Sequence, residues 1–181
     1  MADVKQSITD FYRVAQNRDF ARDFNFRLLS IDGGGTTSAT FDEDDLVYLK
    51  SATLPARSIT NVPVPYMGLA FNVPGGATYP GSDGYSLKFY ADSQSRIRQK
   101  FEQWSRDIFD DANSTGNYFT PRATSTINMV QLDNQLTKIA QYKLVGVSCV
   151  SCGALNYEMS TGTGTTLDFE ATISYHYWTR S

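Results

Sequence analysis

Two cysteines and one histidine are the residues of this 181-residue chain that are best suited to chemistry. Cys149 and Cys152 have the CxxC spacing of zinc sites and redox pairs. A structural zinc ion needs four ligands, but the chain has no second CxxC and no histidine pair. A redox pair is expected at a helix N-terminus, whereas Gly153 and a strand-like run follow Cys152. The main alternatives are therefore free thiols and a disulfide within or between subunits, ahead of redox catalysis.

The histidine, His176, lies on the polar side of the last predicted strand. A histidine that acts as a general base in a triad needs a nucleophile and an orienting acid. No cysteine or carboxylate stands at a spacing that would supply them. We therefore predict that the chain is not an enzyme and that it binds no cofactor and no metal.

Two polar runs resemble binding loops only superficially. Asp32-Gly33-Gly34-Gly35-Thr36-Thr37 lacks the lysine of a phosphate-binding loop, and no helix follows it to take a phosphate. Asp42-Glu43-Asp44-Asp45 does not alternate its ligands as a calcium loop does. The first run is predicted to be a surface turn and the second a solvated loop end, with a charged contact to a partner as the alternative.

The charge balance argues against a nucleic-acid-binding protein. The net charge is −3 and the pI is about 5.1, whereas DNA binding needs clustered lysine and arginine. Aromatic residues make up 13% of the chain and hydrophobic residues 41%, which predicts a folded core rather than disorder. No apolar run reaches the length of a membrane span or a signal peptide. We expect one soluble domain over residues 1–181 with no membrane anchor.

The clearest predicted element is a helix over about residues 94–109. Ile97, Phe101, Trp104 and Ile108 form a single apolar stripe at helical spacing. The basic residues Arg96, Arg98, Lys100 and Arg106 fall outside this stripe. The pattern is typical of one amphipathic helix that lies on a sheet.

Strand patterns fill most of the remaining chain. After a short N-terminal segment (1–22) with a helix capped by Ser7, they cover 24–28, 45–54, 85–91, 126–132, 138–148 and 167–178. A corner at Pro55 leads into an extended run over 57–73, where Pro63 and Pro65 fit an arm that projects from the domain. The fold class is α+β and β-dominated: an antiparallel sandwich or partial barrel of about six or seven strands with one main helix.

Several short segments also match one protein family in order and spacing. They are Asp19-Phe20-Ala21-Arg22, Ala52-Thr53-Leu54-Pro55-Ala56, Val62-Pro63-Val64, Met67-Gly68, Arg98-Gln99-Lys100-Phe101 with Trp104, Tyr142-x-Leu144-x-Gly146, Gly153-x-Leu155 and Tyr175-x-Tyr177-Trp178. Over nearly the whole chain this pattern resembles the tail tube proteins of contractile-tailed bacteriophages. The loop at 32–45 is longer than in that family, and the CxxC stands where a plain hairpin loop is expected.

The resemblance implies a structural virion protein. Such proteins form hexameric rings that stack into a hollow tube, and strands of each subunit join into one continuous barrel that lines the lumen. The expected partners are further copies of the chain, the tail sheath, a tape-measure protein in the lumen, baseplate and terminator proteins, and DNA that passes without specific binding. Assembly is expected in the host cytoplasm.

The resemblance also implies roles for particular residues. The arm would contact a neighbouring subunit or ring through Pro55, Val62, Pro63, Val64, Pro65, Tyr66 and Met67. The exposed side of the main helix, with Arg96, Lys100 and Arg106, would face the sheath, or would simply be solvated. Parts of 45–73 and 138–148 would line the lumen with mainly uncharged or acidic side chains.

Two alternatives stay open at this point. The tube of a tailocin or of a type VI-like injection system would have nearly the same fold. A carbohydrate-binding β-sandwich would also use aromatic and uncharged polar residues, but it would be a monomer with aromatics in a groove, and it leaves the proline-containing arm unexplained.

Overall fold

The architecture is that of a computed structural model, which describes residues 7–18, 20–116, 121–160 and 162–181. Part of the predicted N-terminal segment 1–22, including Asp19, lies outside these residues. The fold is β-dominated as predicted, with 42% of the residues in strands and 16% in helices.

The elements follow one another in three groups. The first group comprises α1 (Ile8–Asn17), β1 (Phe26–Asp32), α2 (Glu43–Val47), β2 (Leu49–Ala52), β3 (Ser58–Tyr66) and β4 (Leu69–Thr78). The second comprises β5 (Tyr85–Tyr90), α3 (Arg96–Ile108), β6 (Phe109–Asp110) and β7 (Thr115–Gly116). The third comprises β8 (Thr126–Leu132), β9 (Lys138–Val145), β10 (Ser148–Cys152), β11 (Asp168–Ser174) and β12 (Tyr177–Arg180).

Two four-stranded antiparallel sheets form the body of the protein. Sheet A has the strand order β1-β8-β9-β12, and sheet B has the order β10-β11-β5-β2. Alternate side chains of both sheets enter one core, where Leu87, Phe89, Ile127, Leu144 and Ile173 are fully buried. The predicted antiparallel sandwich is therefore confirmed. Within the described residues neither sheet closes on itself, so both keep two free edges.

Helix α3 covers part of this core, as its apolar stripe predicted. Ile97, Phe101 and Trp104 are buried, and Ile108 packs at the margin. The Phe101 ring lies 5.4 Å from that of Phe89 in sheet B. Helix α3 also runs beside β10. The predicted helix was one or two residues too long at each end, because Ser95 rather than Ser93 precedes its first turn.

Some predicted strands were wrong in part. The run 45–54 is not one strand, because Asp42 and Asp45 form a capping box that starts α2. The run 138–148 breaks at Gly146, whose φ of 72° no extended strand adopts, and 167–178 breaks before β12. The first strand begins at Phe26 rather than at residue 24.

Helix α1 forms as predicted, because the Ser7 side chain accepts a hydrogen bond from the Asp10 backbone N–H at 3.1 Å. Its apolar residues Ile8, Phe11 and Tyr12 stay exposed. The Phe11 ring stacks on Phe20 at 6.0 Å between centroids. Helix α1 therefore presents an exposed apolar surface on the single chain.

Candidate functional site

A long hairpin projects from the sandwich, and every one of its residues is exposed. We call it the arm; it comprises β3, β4 and their connection (residues 58–78). Met67 and Gly68 form the two-residue connection with φ values of 50° and 82°. Positive φ at both positions is typical of the type I′ turn, whose twist suits a two-stranded hairpin. The predicted extended run over 57–73 is thus two strands, and the second one continues to Thr78.

The arm has one apolar face. Facing pairs across its two strands lie on the same side, and those on one side are Val62 with Val73, Val64 with Phe71 and Tyr66 with Leu69. The opposite side carries Pro63 with Asn72 and Pro65 with Ala70. An isolated two-stranded hairpin is marginally stable in water. The apolar side of the arm therefore has no cover within the described residues.

The register explains the two prolines. In a hairpin with a two-residue turn, the pair next to the turn, Tyr66 and Leu69, is hydrogen-bonded, and bonded and non-bonded pairs then alternate. Pro63 and Pro65 therefore occupy non-bonded pairs, where the backbone nitrogen points away from the partner strand. The hairpin loses no hydrogen bond. The outer edge of β3 lacks two donors, so another strand pairs with it poorly.

The base of the arm is fixed to the sandwich. The Trp178 Nε1–H on β12 donates a hydrogen bond to the Ala56 carbonyl at 2.9 Å, and the Tyr85 hydroxyl donates to the Thr53 carbonyl. Burial raises the pKa of Tyr85 well above its usual value, so this hydroxyl keeps its proton. Pro55 is buried here. It belongs to the base and not to the exposed arm with which it was predicted.

The arm carries no charge. Residues 58–78 contain no Asp, Glu, Lys, Arg or His, in a chain of which 19% is charged. Charged residues are depleted in the centre of protein interfaces, where apolar residues are enriched. The composition of the arm is therefore that of an interface core rather than of a solvated loop.

The outer face of sheet A carries a ladder of uncharged polar side chains. The Asn128 Nδ2 donates to the Ser30 hydroxyl at 2.8 Å, and the Gln141 Nε2 approaches the Asn128 Oδ1 at 3.4 Å. Lys138 extends the ladder by donating to the Gln141 Oε1 at 2.7 Å. Strand register places three further charged residues on this face: Arg27, Asp32 and Lys143. The cations are separate from one another rather than continuous.

The outer face of sheet B is organised by ion pairs instead. Lys50 on β2 pairs with Asp168 on β11, and Lys88 on β5 lies 3.6 Å from Glu170 on β11. The bond with Lys50 lowers the pKa of Asp168, although burial opposes this shift. The two sandwich faces thus differ in chemistry: one is mostly an amide and hydroxyl surface, the other a network of paired charges.

One of the basic residues predicted on the exposed side of α3 is held in ion pairs within the chain. Lys100 pairs with Asp45 at 2.5 Å and with Asp42 at 3.2 Å, so it ties α3 to α2 instead of projecting outwards. Burial lowers the pKa of Lys100, but these carboxylates outweigh it and hold that pKa above its ordinary value. Arg96 and Arg106 are exposed. The acidic run 42–45 is therefore the start of a helix, not a loop end.

The cysteines lie in strand β10 rather than in a loop. A bulge between Cys149 and Ser151 shifts the alternation by one residue, so Cys149 and Cys152 face the same side. Their Sγ atoms approach the α3 carbonyls of Phe101 and Arg98 at 3.8 and 3.9 Å. Burial raises the pKa of Cys149 to about 12 and raises that of Cys152. These are conditions for inert thiols.

Both thiols are free in the structure. Their partners on β11, Ile173 and Ala171, stand two residues apart, which is about 6.6 Å along a strand. The Cα atoms of a disulfide usually stand about 4.4–6.8 Å apart, so this spacing is near the upper limit for a bridge within the subunit, which also stays a prediction. A bridge between subunits stays a prediction, and non-reducing electrophoresis of assembled protein tests it.

No group of three or more potential metal ligands occurs among the described residues. In the same part of the chain, no helix is long and apolar enough to cross a membrane. His176 is exposed between β11 and β12.

The combination of a sandwich with free sheet edges and an uncharged arm agrees with a sequence comparison. The family model described as "Phage tail tube protein" matches residues 15–181. The chain belongs to the phage tail tube protein family. The predicted resemblance is thereby confirmed, and the chain is a structural component of a tail assembly. For this tail tube protein no curated protein sequence gives a match.

Solved structures share the fold of the tail tube protein. The tube-terminating cap of the anti-feeding prophage matches with a TM-score of 0.60 at 9% identity, covering 100% of this chain and 99% of that one. A chain of the anti-feeding prophage baseplate matches with a TM-score of 0.59 at 11% identity, covering 91% and 97%. A chain of the PVC sheath-tube complex, an extracellular contractile injection system, matches with 0.54 at 9% identity, covering 97% and 98%.

Sequence reasoning found one half of the arm and missed the other. The predicted arm residues between Val62 and Met67 lie together on β3 and its turn. Leu69, Phe71 and Val73 on β4 were not singled out, although they alternate with small or polar residues directly after Met67-Gly68. Apolar residues that alternate on both sides of a two-residue turn are typical of a β-hairpin.

Proposed function

We propose that this tail tube protein forms the hexameric rings of the inner tube of a contractile-tailed bacteriophage. The rings stack head to tail, and the genome passes through the tube on ejection. The family assignment supports a tube over the carbohydrate-binding alternative. The observation that carries the proposal is the pair of free edges on sheet A.

Sheet A is suited to closure between identical subunits. Its four strands alternate in direction, so its two edge strands, β1 and β12, run antiparallel to one another. When β12 of one copy meets β1 of the next, the new pair is again antiparallel, and each added copy repeats the same contact. A heterologous contact of this kind closes into a ring at the correct rotation. Closure removes the edges, which otherwise invite aggregation.

The face of sheet A suits a conduit. An uncharged ladder such as Ser30-Asn128-Gln141 offers DNA no phosphate contact of the kind that lysine and arginine make. The three cations on this face, Arg27, Lys138 and Lys143, are too few for a continuous basic lining. We therefore place sheet A towards the lumen and the ion-paired sheet B away from it. The predicted lining by 138–148 agrees in part, since β9 is in sheet A, whereas 45–73 contributes no strand to that sheet.

The remaining partners follow from the tube. A sheath would surround it, with Arg96 and Arg106 of α3 as charged contacts that release on contraction. A tape-measure protein would fill the lumen, and baseplate and terminator proteins would end the tube. The tube would be assembled in the host cytoplasm and become part of the virion. The tube of a tailocin or type VI-like system is the second candidate, because solved structures with this fold come from the anti-feeding prophage and from an extracellular contractile injection system.

Negative-stain electron microscopy of the purified protein tests assembly. We expect hollow tubes with six-fold rings, with and without reductant. A monomer that stays dispersed at high concentration, also after addition of a baseplate nucleus, would overturn the tube.

A matched pair of variants tests which sheet faces the lumen. Asn128→Lys adds a cation to the outer face of sheet A, and Thr172→Lys adds one to that of sheet B. We expect short single-stranded DNA to be retained only inside Asn128→Lys tubes, in a salt-dependent manner. Retention by Thr172→Lys tubes instead would reverse the orientation.

Charge reversal at Arg96 and Arg106 should reduce sheath assembly while bare tubes persist.

A further inference from the structure

A groove lined mainly by apolar residues lies at the β1 edge of the sandwich. It has a volume of about 430 Å³ and runs between β1, α2 and β2. Its apolar lining is Phe24, Phe26, Leu28, Leu46, Val47 and Leu49. Val47 is 81% exposed and Phe24 is 64% exposed, so the groove is open and uncovered in the single chain.

The base of the arm and this groove lie at opposite edges of sheet A. The base of the arm is held by Trp178 on β12, which is one edge strand. The groove is formed by β1, the other edge strand, with α2 packed beside it. When the β12 edge of one copy meets the β1 edge of the next, the base of the arm comes next to the neighbour's groove.

We propose that the arm of each copy docks with its apolar face in the β1-α2 groove of the next copy around the ring. This docking rests on the proposed hexameric tube and names the surface that receives the arm. The contact is heterologous: arm and groove are different surfaces of one chain, and each copy supplies one of each.

The chemistry of the two surfaces agrees with this pairing. The arm offers Val62, Val64, Phe71 and Val73 on one face and no charge within residues 58–78. Six of the nine residues that line the groove are apolar, and the other three, Asp23, Arg27 and Lys50, are charged. An apolar centre within a polar rim is the usual anatomy of a stable interface.

The two prolines of β3 restrict the ways in which the arm can bind a neighbour. Because Pro63 and Pro65 remove donors from the outer edge of β3, the arm does not dock by adding a strand to a neighbouring sheet through β3. Side chains of its apolar face make the contact instead. A groove lined by side chains is the surface that such a face requires.

Disulfide trapping in assembled tubes tests the docking. Val64→Cys on the arm is combined with Val47→Cys in the groove, and the control combines Val64→Cys with Ser86→Cys on sheet B. After mild oxidation, we expect the first pair to give a ladder of covalent multimers that ends at the hexamer in non-reducing denaturing electrophoresis. The control pair and both single variants should remain mostly monomeric.

The outcomes separate the docking from the tube. Normal tubes without cross-links in the first pair would overturn the docking alone. A ladder that continues beyond the hexamer would place the arm in a groove of the adjacent ring and overturn the arrangement within one ring. Failure of the unsubstituted chain to form tubes, even on a baseplate nucleus, would overturn the proposed function and the docking with it.

A second measurement avoids new cysteines. Val47→Glu places a charge in the groove, and Val150→Glu places one at another exposed position, on β10 and outside the groove. We expect Val47→Glu to raise the protein concentration needed for tube assembly at least tenfold and Val150→Glu to change it less than threefold. Equal effects of the two variants would contradict the docking.

Discussion

The sandwich core and the arm are made of the same kinds of residue but meet opposite environments. Leu87 and Phe89 on β5 alternate with polar neighbours and are fully buried. Val64 and Phe71 on the arm also alternate, yet they are 45% and 52% exposed. The difference is in what covers them. Sheet A and α3 cover β5 within the chain, whereas nothing in the described part of the chain covers the arm.

This contrast separates folding from assembly. Burial of the core side chains stabilises the single chain, because apolar surface leaves water when the two sheets pack. The apolar face of the arm contributes little to that process and, in the proposed docking, gains its burial from a second copy. Substitutions in the two regions should therefore change different measured quantities.

The largest effect is expected in the core. Phe89→Ala removes a ring that packs on Phe101 and Phe169 and leaves a cavity between sheet B and α3. We expect the free energy of unfolding to fall by about 3–5 kcal/mol, as measured by urea denaturation of the monomer. A loss under about 1 kcal/mol would show that the site collapses or that the ring is not part of the core.

The arm should show the reverse pattern. Val64→Ser combined with Phe71→Ser removes a directly facing apolar pair. We expect monomer stability to change by less than about 0.5 kcal/mol, while tube assembly weakens by about 2–4 kcal/mol through lost burial. Sedimentation of assembled protein against total concentration measures this. Asn61→Ser with Asn72→Ser, on the other face, is the matched control and should assemble normally.

A smaller effect concerns the loop that joins β1 to α2. Burial opposes ionisation of Asp107, but hydrogen bonds from the Ser38 backbone, Gln103, the Ser38 hydroxyl and Thr37 outweigh it and lower its pKa. Asp107→Asn should cost about 1 kcal/mol of unfolding free energy at pH 7. Because the folded pKa is below the ordinary value of about 3.9, this difference should persist above pH 4 and vanish as the pH falls through the folded pKa.

Denaturation of both proteins between pH 7 and pH 2 measures this difference. A gap between the two proteins that stays constant down to pH 2 would contradict the role of the ionised carboxylate. Gln99→Asn, on the same helix and outside this cluster, is the control for a general effect of shortening an exposed side chain.

The smallest effect on the monomer is expected at the arm prolines. Pro63→Thr with Pro65→Thr restores two outward N–H donors without touching the apolar face. Monomer stability should change by less than about 0.5 kcal/mol, but the open edge should now recruit strands. Light scattering should reveal irregular aggregates beside tubes. If assembly stays as clean as in the unsubstituted protein, the prolines do not protect the edge.

Local patterns predicted much of the fold. The stripe of α3, the alternation of β5 and the Ser7 cap all depend on residues close in sequence, and the structure has them as expected. The missed features depend on distant partners or single backbone angles. Lys100 was assigned to an outer surface because sequence does not show that Asp42 and Asp45 face it across 55 or more residues.

The arm illustrates the same division within the candidate site. The sequence predicted that this segment is extended and that its prolines fit a projecting arm. The turn that makes β4 the second strand of the hairpin depends on positive φ at Met67, a conformation that most non-glycine residues avoid. The position of Pro55 in the base, and of the groove on the opposite edge, depends on which strands become neighbours.

The sequence by itself determined a β-dominated chain, its main helix and its tail tube family, because periodicity and short motifs are local and survive without knowledge of the partners. Only the tertiary structure decided which sheet carries the amide and hydroxyl ladder and which the ion pairs, that two alternating runs stay uncovered while others are buried, and that the base of the arm and the groove lie at opposite edges of sheet A. Those properties depend on strand order, and strand order is set by contacts between residues far apart in the chain, which no local pattern encodes.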